Sequence, residues 1–178
     1  GTLFAPLRTK SETYNFIMQF LFRGGYVHAN IWYVATEMPI DNIIGVDFTS
    51  SYPAVMLQCY YPMTPFADCE LTVDGTQTEI TDEKLKKMCC WFVVDFYGIE
   101  RKTYHAIESE HKIISEQGAL YDNGRMYYAD RIRVALTELD YEIYKRFYKW
   151  QKLEIVHAMC SKRGKLPEYV LKPLRKFY

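Results

Sequence analysis

Apolar and polar positions alternate in several distinct rhythms along the chain. In SETYNFIMQFLF (11–22), Phe16, Ile17, Phe20 and Leu21 recur at helical spacing, with Ser11 placed to cap and Gly24-Gly25 placed to stop the turn. YVHANIWYV reads as an extended segment, and DNIIGVDF as a short buried strand. SSYPAVMLQCY then fits a helix with serine at its cap and Pro53 in its first turn, where a missing N–H does no harm. From Pro62 to Glu83 the chain is polar and rich in turn formers.

The second half is more regular. MCCWFVVDFYGI (88–99) is apolar and β-branched, a strong strand pattern. DNG (122–124) predicts a tight turn leading into GRMYYADRIRVALT as a long alternating strand. LTELDYEIYKRFY predicts a helix with a capping arrangement between Thr137 and Asp140. LEIVHAM (153–159) predicts another strand, and LPEYVLKPLRKFY a closing helix that Pro173 should kink or interrupt. This order of elements predicts an α+β fold, with mixed or antiparallel sheets and flanking helices, over a doubly wound sheet.

Composition narrows the function classes. With 178 residues and 49% hydrophobic content the chain can bury a sizeable core. Five cysteines form no CxxC pair, and two of them, Cys89 and Cys90, are adjacent. That pattern predicts neither a disulfide framework nor a zinc site, and favours a reducing, cytoplasmic setting. The four histidines are scattered without metal-binding spacing. No apolar run approaches the roughly 20 residues of a membrane span, and the first residues do not read as a secretory leader.

The net charge of zero conceals a division: residues 1–124 carry a balance of −7 and residues 125–178 one of +7. The basic end interleaves with aromatics in KRFYKW (145–150), SKRGK (161–165) and KPLRKFY (172–178). Taken singly each cluster is a solvated face; together they point towards a polyanion partner.

The candidate chemistry lies in VDFTSSYP (46–53). A carboxylate at a strand end is held rigidly with its oxygens facing outward, as a hard cation such as Mg²⁺ requires. Phe48 can add a backbone carbonyl, and the N–H groups of Ser51 and Tyr52 at a helix start suit phosphate oxygens. On spacing alone, an aspartate here serves equally as a helix cap or turn former. Asp95, in the similar VVDFYG, has no helix start behind it and reads as a structural strand residue. Glu108-Ser-Glu110 reads as a solvated face.

VDFTSSYP resembles the first catalytic motif of family B DNA polymerases, an Asp, two residues, then Ser-Leu-Tyr-Pro. FRGG (22–25), upstream, resembles their Tyr-x-Gly-Gly motif. FRGGYVHAN with DFTSSYP is most similar to the protein-primed polymerases of phages and prophages of Gram-positive bacteria, and the later text is similar to the segment leading to their fingers. The resemblance implies a partial polymerase palm plus an insertion. Residues 1–60 would be the first part of the palm, 61–156 an insertion that contacts the priming terminal protein and the duplex, and 157–178 a segment leading to the fingers.

It also implies roles. Asp47 matches the carboxylate bridging two Mg²⁺ (or Mn²⁺) ions, and Phe48 the residue lending a carbonyl to them. Ser51 and Tyr52 match the nucleotide-binding positions, Tyr52 also the steric gate against a 2′-hydroxyl. Phe22, Arg23, Gly24, Gly25 and Ser50 match contacts to DNA, with Arg23 adding charge to a template clamp. The implied partners are template and primer DNA, deoxynucleoside triphosphates and a terminal protein, in a bacterial host cytoplasm and away from membrane.

Two residues depart from the motifs: Phe22 stands for the usual Tyr and Ser51 for the usual Leu. The family's second catalytic motif, Tyr-x-Asp-Thr-Asp, its fingers motif, Lys then Asn-Ser-x-Tyr-Gly, and the exonuclease Asp-x-Glu have no match. The chain therefore reads as a fragment, inactive alone. The alternative is a stand-alone module, derived from such a polymerase, that binds single-stranded DNA or a protein.

Overall fold

A computed structural model describes residues 11–24, 46–48 and 50–177. The chain divides into two units: one combines residues 1–23 with 60–164, the other residues 24–59 with 165–178. Residue 156 lies within one continuous strand, Lys152–Gly164.

The larger unit is built on an antiparallel sheet whose strands follow the sequence patterns. Its strands are β1 (Tyr61–Pro62), β2 (Ala67–Asp68), β3 (Met88–Arg101), β4 (Ile113–Gln117), β5 (Leu120–Asp122), β6 (Arg125–Thr137), β7 (Tyr148–Lys149) and β8 (Lys152–Gly164). The main order is β1-β8-β3-β6-β4, with β2 also pairing β8, β5 pairing β6 and β7 pairing β3. At the β5–β6 hairpin, Asn123 and Gly124 adopt positive φ angles of 50° and 71°. Those angles match the right-handed twist of the flanking strands and suit the Asn-Gly pair.

Both faces of the central strands are covered, which is why β3 reads as an almost unbroken apolar run. Phe92, Val94 and Phe96 point to one face, with Ile132, Val134 and Leu136 from β6. There they meet Tyr141 and Tyr144 of the helix α4 (Glu138–Phe147). Trp91, Val93 and Ala135 point to the other face, where Leu21 is buried and Phe16, Ile17 and Phe20 pack. The predicted first helix thus forms, as α1 (Ser11–Phe16) running into a π turn at Ile17–Leu21. The expected cap of α4 is present: Asp140 N–H donates to Thr137 Oγ1 at 3.2 Å, and Thr137 N–H donates to Asp140 Oδ2 at 3.0 Å.

Cys69 and Cys160 are joined by a disulfide, against the expectation from cysteine spacing. The two lie 91 residues apart in sequence, but Cys69 follows β2 directly and β2 pairs with β8, which brings their Cα atoms to 6.0 Å. Strand pairing, not local spacing, makes the bond possible.

In the smaller unit, α2 (Ser51–Gln58) forms as predicted with Pro53 in its first turn, and contacts α5 (Glu168–Phe177). Pro173 lies inside α5 and does not interrupt it. An apolar side chain, Leu171, is buried there, and Arg175 Nη1 pairs with Glu168 at 2.8 Å. Of the predicted strand DNIIGVDF, residues 41–45 lie outside the described residues, as does the extended segment YVHANIWYV. Val46–Phe48 is not strand and is open to solvent. Among the described residues its apolar side chains meet no packing surface, so they lack the burial that favours extended pairing.

Asp95 sits where the α1 face of the sheet turns polar. It is buried, with Arg133 Nε at 2.7 Å and Nη2 at 2.9 Å, and Arg131 also bound to it. This agrees with its reading as a structural strand residue. Burial opposes its charge, but the bonds from Arg133 and Arg131 outweigh burial and hold its carboxyl below the usual value. A folded pKa below the unfolded one, about 4, gives stability that is complete above that pH. It is lost as pH falls through the folded pKa. Urea unfolding below about pH 4 is therefore expected to show a loss of stability that Asp95→Asn flattens; an unchanged acid profile in that variant would contradict this role.

Candidate nucleic-acid and nucleotide site

The residues of FRGG begin where the π turn ends. Phe22 donates its N–H to Ile17 O at 2.8 Å, and its ring is 60% exposed. The next residue turns inward. Arg23 Nη1 donates to both carboxylate oxygens of Glu108, at 2.7 and 2.8 Å, and Nη2 donates to Ala135 O at 3.1 Å. Asp140, the capping residue of α4, lies 3.8 Å from Arg23 Nε.

Glu108 is completely buried, which corrects its reading as part of a solvated face. Tyr144 O–H bonds its carboxylate. Tyr148 OH accepts the N–H groups of Ile107 (3.1 Å) and Glu108 (3.0 Å) and donates to Met126 O (2.7 Å). Burial works against the Arg23 charge, but the facing carboxylate and the Tyr144 oxygen outweigh it and keep the guanidinium above its ordinary pKa. Burial and then Glu108 push the Tyr144 phenol well up, so it stays a neutral donor.

This geometry changes the role expected of Arg23. Its charge is committed to Glu108 inside the protein rather than offered as a free cation to a phosphate. Sequence reasoning missed Glu108 as its partner, and Tyr144 and Tyr148 as the residues that bond the Glu108 carboxylate and backbone. They are 85 or more residues away from Arg23, and no local pattern marks an ion pair of that span.

Gly24 is exposed, and a Cβ placed on it would meet nothing within 4 Å among the described residues. Neither packing nor a positive φ therefore demands glycine at this position. Gly25 lies outside the described residues.

In the second motif, Asp47 is exposed, and its Oδ1 accepts the N–H of Phe48 at 2.8 Å. It is not spent as a cap of α2, whose start carries no side-chain cap. Ser50 holds the position before the helix in a left-handed conformation (φ 56°, ψ 39°), unusual for a residue with a Cβ. Its carbonyl accepts Ala54 N–H at 3.0 Å, the first intrahelical bond. The N–H groups of Ser51 and Tyr52, one turn too early to find an acceptor within the helix, face outward along the axis. The ring of Tyr52 is 84% exposed and that of Phe48 82%.

A metal would find part of a site here. Asp47 supplies an open carboxylate and Phe48 a carbonyl beside it. Among the described residues, however, no group of three or more His, Cys, Asp or Glu side chains could hold a metal ion. One carboxylate does not hold two ions without further ligands, so no catalytic step follows from the described residues alone.

Four of the seven Lys and Arg residues in 145–165 form ion pairs within the fold. Lys145 pairs with Glu142 (2.8 Å) and Glu79 (3.3 Å), Lys149 with Glu100 (3.0 Å), Lys152 with Glu154 (2.6 Å) and Arg163 with Glu138 (3.1 Å). Tyr148 belongs to the core, and Phe147 and Trp150 pack against it.

No protein-family model matches the chain, and no curated protein matches it. Two solved structures are similar to it. One is Phi29 DNA polymerase complexed with primer-template DNA, a post-translocation binary complex, with 15% identity over 71% of this chain and a TM-score of 0.48. The other is an orthorhombic crystal form of Phi29 DNA polymerase, with 17% identity over 68% of this chain and a TM-score of 0.41. The chain spans 20% of the length of each. No described helix is long and apolar enough to cross a membrane.

Removing Arg23 strands a buried carboxylate, so Arg23→Ala is expected to lower unfolding stability by about 3 kcal/mol. Arg23→Lys should recover little of it, since one ammonium does not bond both the Glu108 carboxylate and Ala135 O, as Nη1 and Nη2 of the guanidinium do. Urea denaturation of the three proteins checks this; a loss below about 0.5 kcal/mol in the alanine variant would place Arg23 outside the stabilising network.

Proposed function

We propose that this chain forms part of a template-directed DNA polymerase of the family B type, contributing its first catalytic carboxylate. The observation that carries the reading is the state of Asp47. It is open to solvent, unused by the helix that follows, and lies in a segment that resembles the family's first motif. A structural aspartate in that place would be buried or would cap α2.

The neighbouring residues support the same reading. Ser51 and Tyr52 present helix-start N–H groups suited to the phosphates of an incoming deoxynucleotide. The exposed Tyr52 ring is free to lie under a sugar and leave no space for a 2′-hydroxyl. Phe22 offers an exposed face for stacking on a base. Gly24, with no internal reason to lack a side chain, allows a phosphate close to the backbone. Gly25 and Ser50 complete the DNA contacts by motif position. Arg23 serves this segment as an anchor, its charge being held by Glu108.

In such an enzyme Asp47 and the Phe48 carbonyl would help hold Mg²⁺ or Mn²⁺, the ions that lower the cost of charge at the transferring phosphoryl group. The remaining ligands belong to parts of the enzyme beyond these residues. Within this chain, the derivable work is positioning: an open carboxylate, an oriented helix start and an exposed tyrosine. A terminal protein as primer and a phage or prophage origin belong to the same proposal, on sequence resemblance alone. The internally paired 145–165 stretch gives the alternative of an independent binding module no added support.

In the parent polymerase, Asp47→Asn is expected to lower nucleotide addition by on the order of a thousandfold while changing primer-template affinity by less than about twofold. Primer extension beside a gel-shift titration reads both, and retained synthesis would remove Asp47 from the chemistry. Tyr52→Ala is expected to raise ribonucleotide incorporation relative to deoxynucleotide by roughly tenfold or more. An unchanged ratio in single-nucleotide extension would dismiss Tyr52 as the gate.

A further inference from the structure

Three sulfurs meet where β2, β8 and β3 run side by side. Cys160 in β8 is disulfide-bonded to Cys69, which follows β2. Cys90 in β3 stands directly across from Cys160 in the strand register, its Sγ 3.3 Å from Cys160 Sγ. Cys90 and Cys160 are buried, whereas Cys69 is half-buried. Cys160 therefore has two sulfurs in reach, one bonded and one in van der Waals contact.

The geometry points to an internal thiol–disulfide exchange site, in which Cys90 displaces Cys69 from Cys160. The Cys90 thiol gives its proton to water, and its sulfur attacks Cys160 Sγ. A Cys90–Cys160 bond forms as the Cys69–Cys160 bond breaks. The electron pair leaves on Cys69 Sγ, which takes a proton from water. One disulfide and one thiol stand on each side of the step, so no outside oxidant or reductant is consumed.

Exchange changes what the bond holds. Before it, the bond ties the edge segment at β2, paired to β8 through only two residues, Ala67 and Asp68. After it, the bond ties the two long strands β3 and β8, which are already paired along their length. The edge segment loses its covalent tie, and a thiol leaves the interior for the half-buried Cys69 position.

The closed fold holds the step back. Burial, then Glu138, Cys89 and Asp82, push the Cys90 thiol up to about 12, with Arg163 acting in the opposite direction. These groups face it from the start of α4, from β3, from the loop before the short helix α3 (Lys84–Lys87) and from β8. The Lys84 carbonyl, 3.6 Å from Cys90 Sγ, accepts a hydrogen bond from the thiol and so favours its protonated form. The attacking thiolate is scarce at neutral pH and grows about tenfold per pH unit.

The test uses the full chain carrying Cys59→Ser and Cys89→Ser, so that only the three sulfurs remain. It is purified without reductant, held at about pH 7 or about pH 9, quenched in acid, digested with pepsin and mapped by mass spectrometry. The expected result is Cys69–Cys160 at the start and Cys90–Cys160 with free Cys69 appearing later, roughly a hundredfold faster at the higher pH. The added Cys69→Ser variant, oxidised with glutathione disulfide, should pair Cys90 with Cys160. The added Cys90→Ser variant should keep Cys69–Cys160 unchanged. Circular dichroism confirms that each variant is folded. Failure of the Cys90–Cys160 peptide to appear in the three-cysteine chain overturns the proposal, whatever Cys69→Ser does. So does an initial chain without Cys69–Cys160, or a Cys69–Cys90 product, which requires scrambling through an opened chain.

Discussion

A carboxylate with no exposure to water must be neutralised where it lies, and in this protein Arg23 neutralises Glu108. The pair sets more than its own geometry. It ties the segment leaving α1 to the loop before β4, and to the end of β6 through Ala135 O. It also brings Arg23 to Asp140, so the residue that caps α4 shares the same charge. Tyr144 O–H bonds the Glu108 carboxylate, and Tyr148 OH accepts the N–H groups of Ile107 and Glu108. A buried charge is costly unless every partner is in place, and here the partners come from four separate stretches of sequence.

The functional reading depends on this division between inside and outside. Arg23 turns inward, whereas Phe22 and Gly24 on either side of it are exposed. An anchored residue between two exposed ones holds a short segment in one conformation without using its charge on a partner. The same economy appears in the second motif. Ser50 takes up the strained left-handed conformation that starts α2, which leaves Asp47 unneeded as a cap and open to solvent.

Local physics made much of the larger unit legible. The apolar run of β3, the alternation of β6, the Asn-Gly hairpin and the Thr137–Asp140 cap each depend on residues a few positions apart, and each forms as read. What escaped depends on distant pairing. Glu108 looked like part of a solvated acidic face because Arg23 is 85 residues away. Cys69 and Cys160 gave no spacing signal because strand order joins them. The acidic partners of Lys145, Lys149 and Arg163 also lie elsewhere in the chain, at Glu79, Glu100 and Glu138. At the candidate site, the motif residues were legible in sequence, but the inward turn of Arg23 was not. Val46–Phe48 failed as a strand because its apolar character was read without a surface to cover it.

The central physical claim is that the Arg23 charge is consumed within the fold by Glu108. A double-mutant cycle measures this directly: urea unfolding of the parent chain, Arg23→Met, Glu108→Gln and the double variant. Coupling on the order of 2–3 kcal/mol between the two sites is the predicted result. Additive losses, with coupling below about 0.5 kcal/mol, would contradict it and return the Arg23 guanidinium to solvent as a free phosphate ligand.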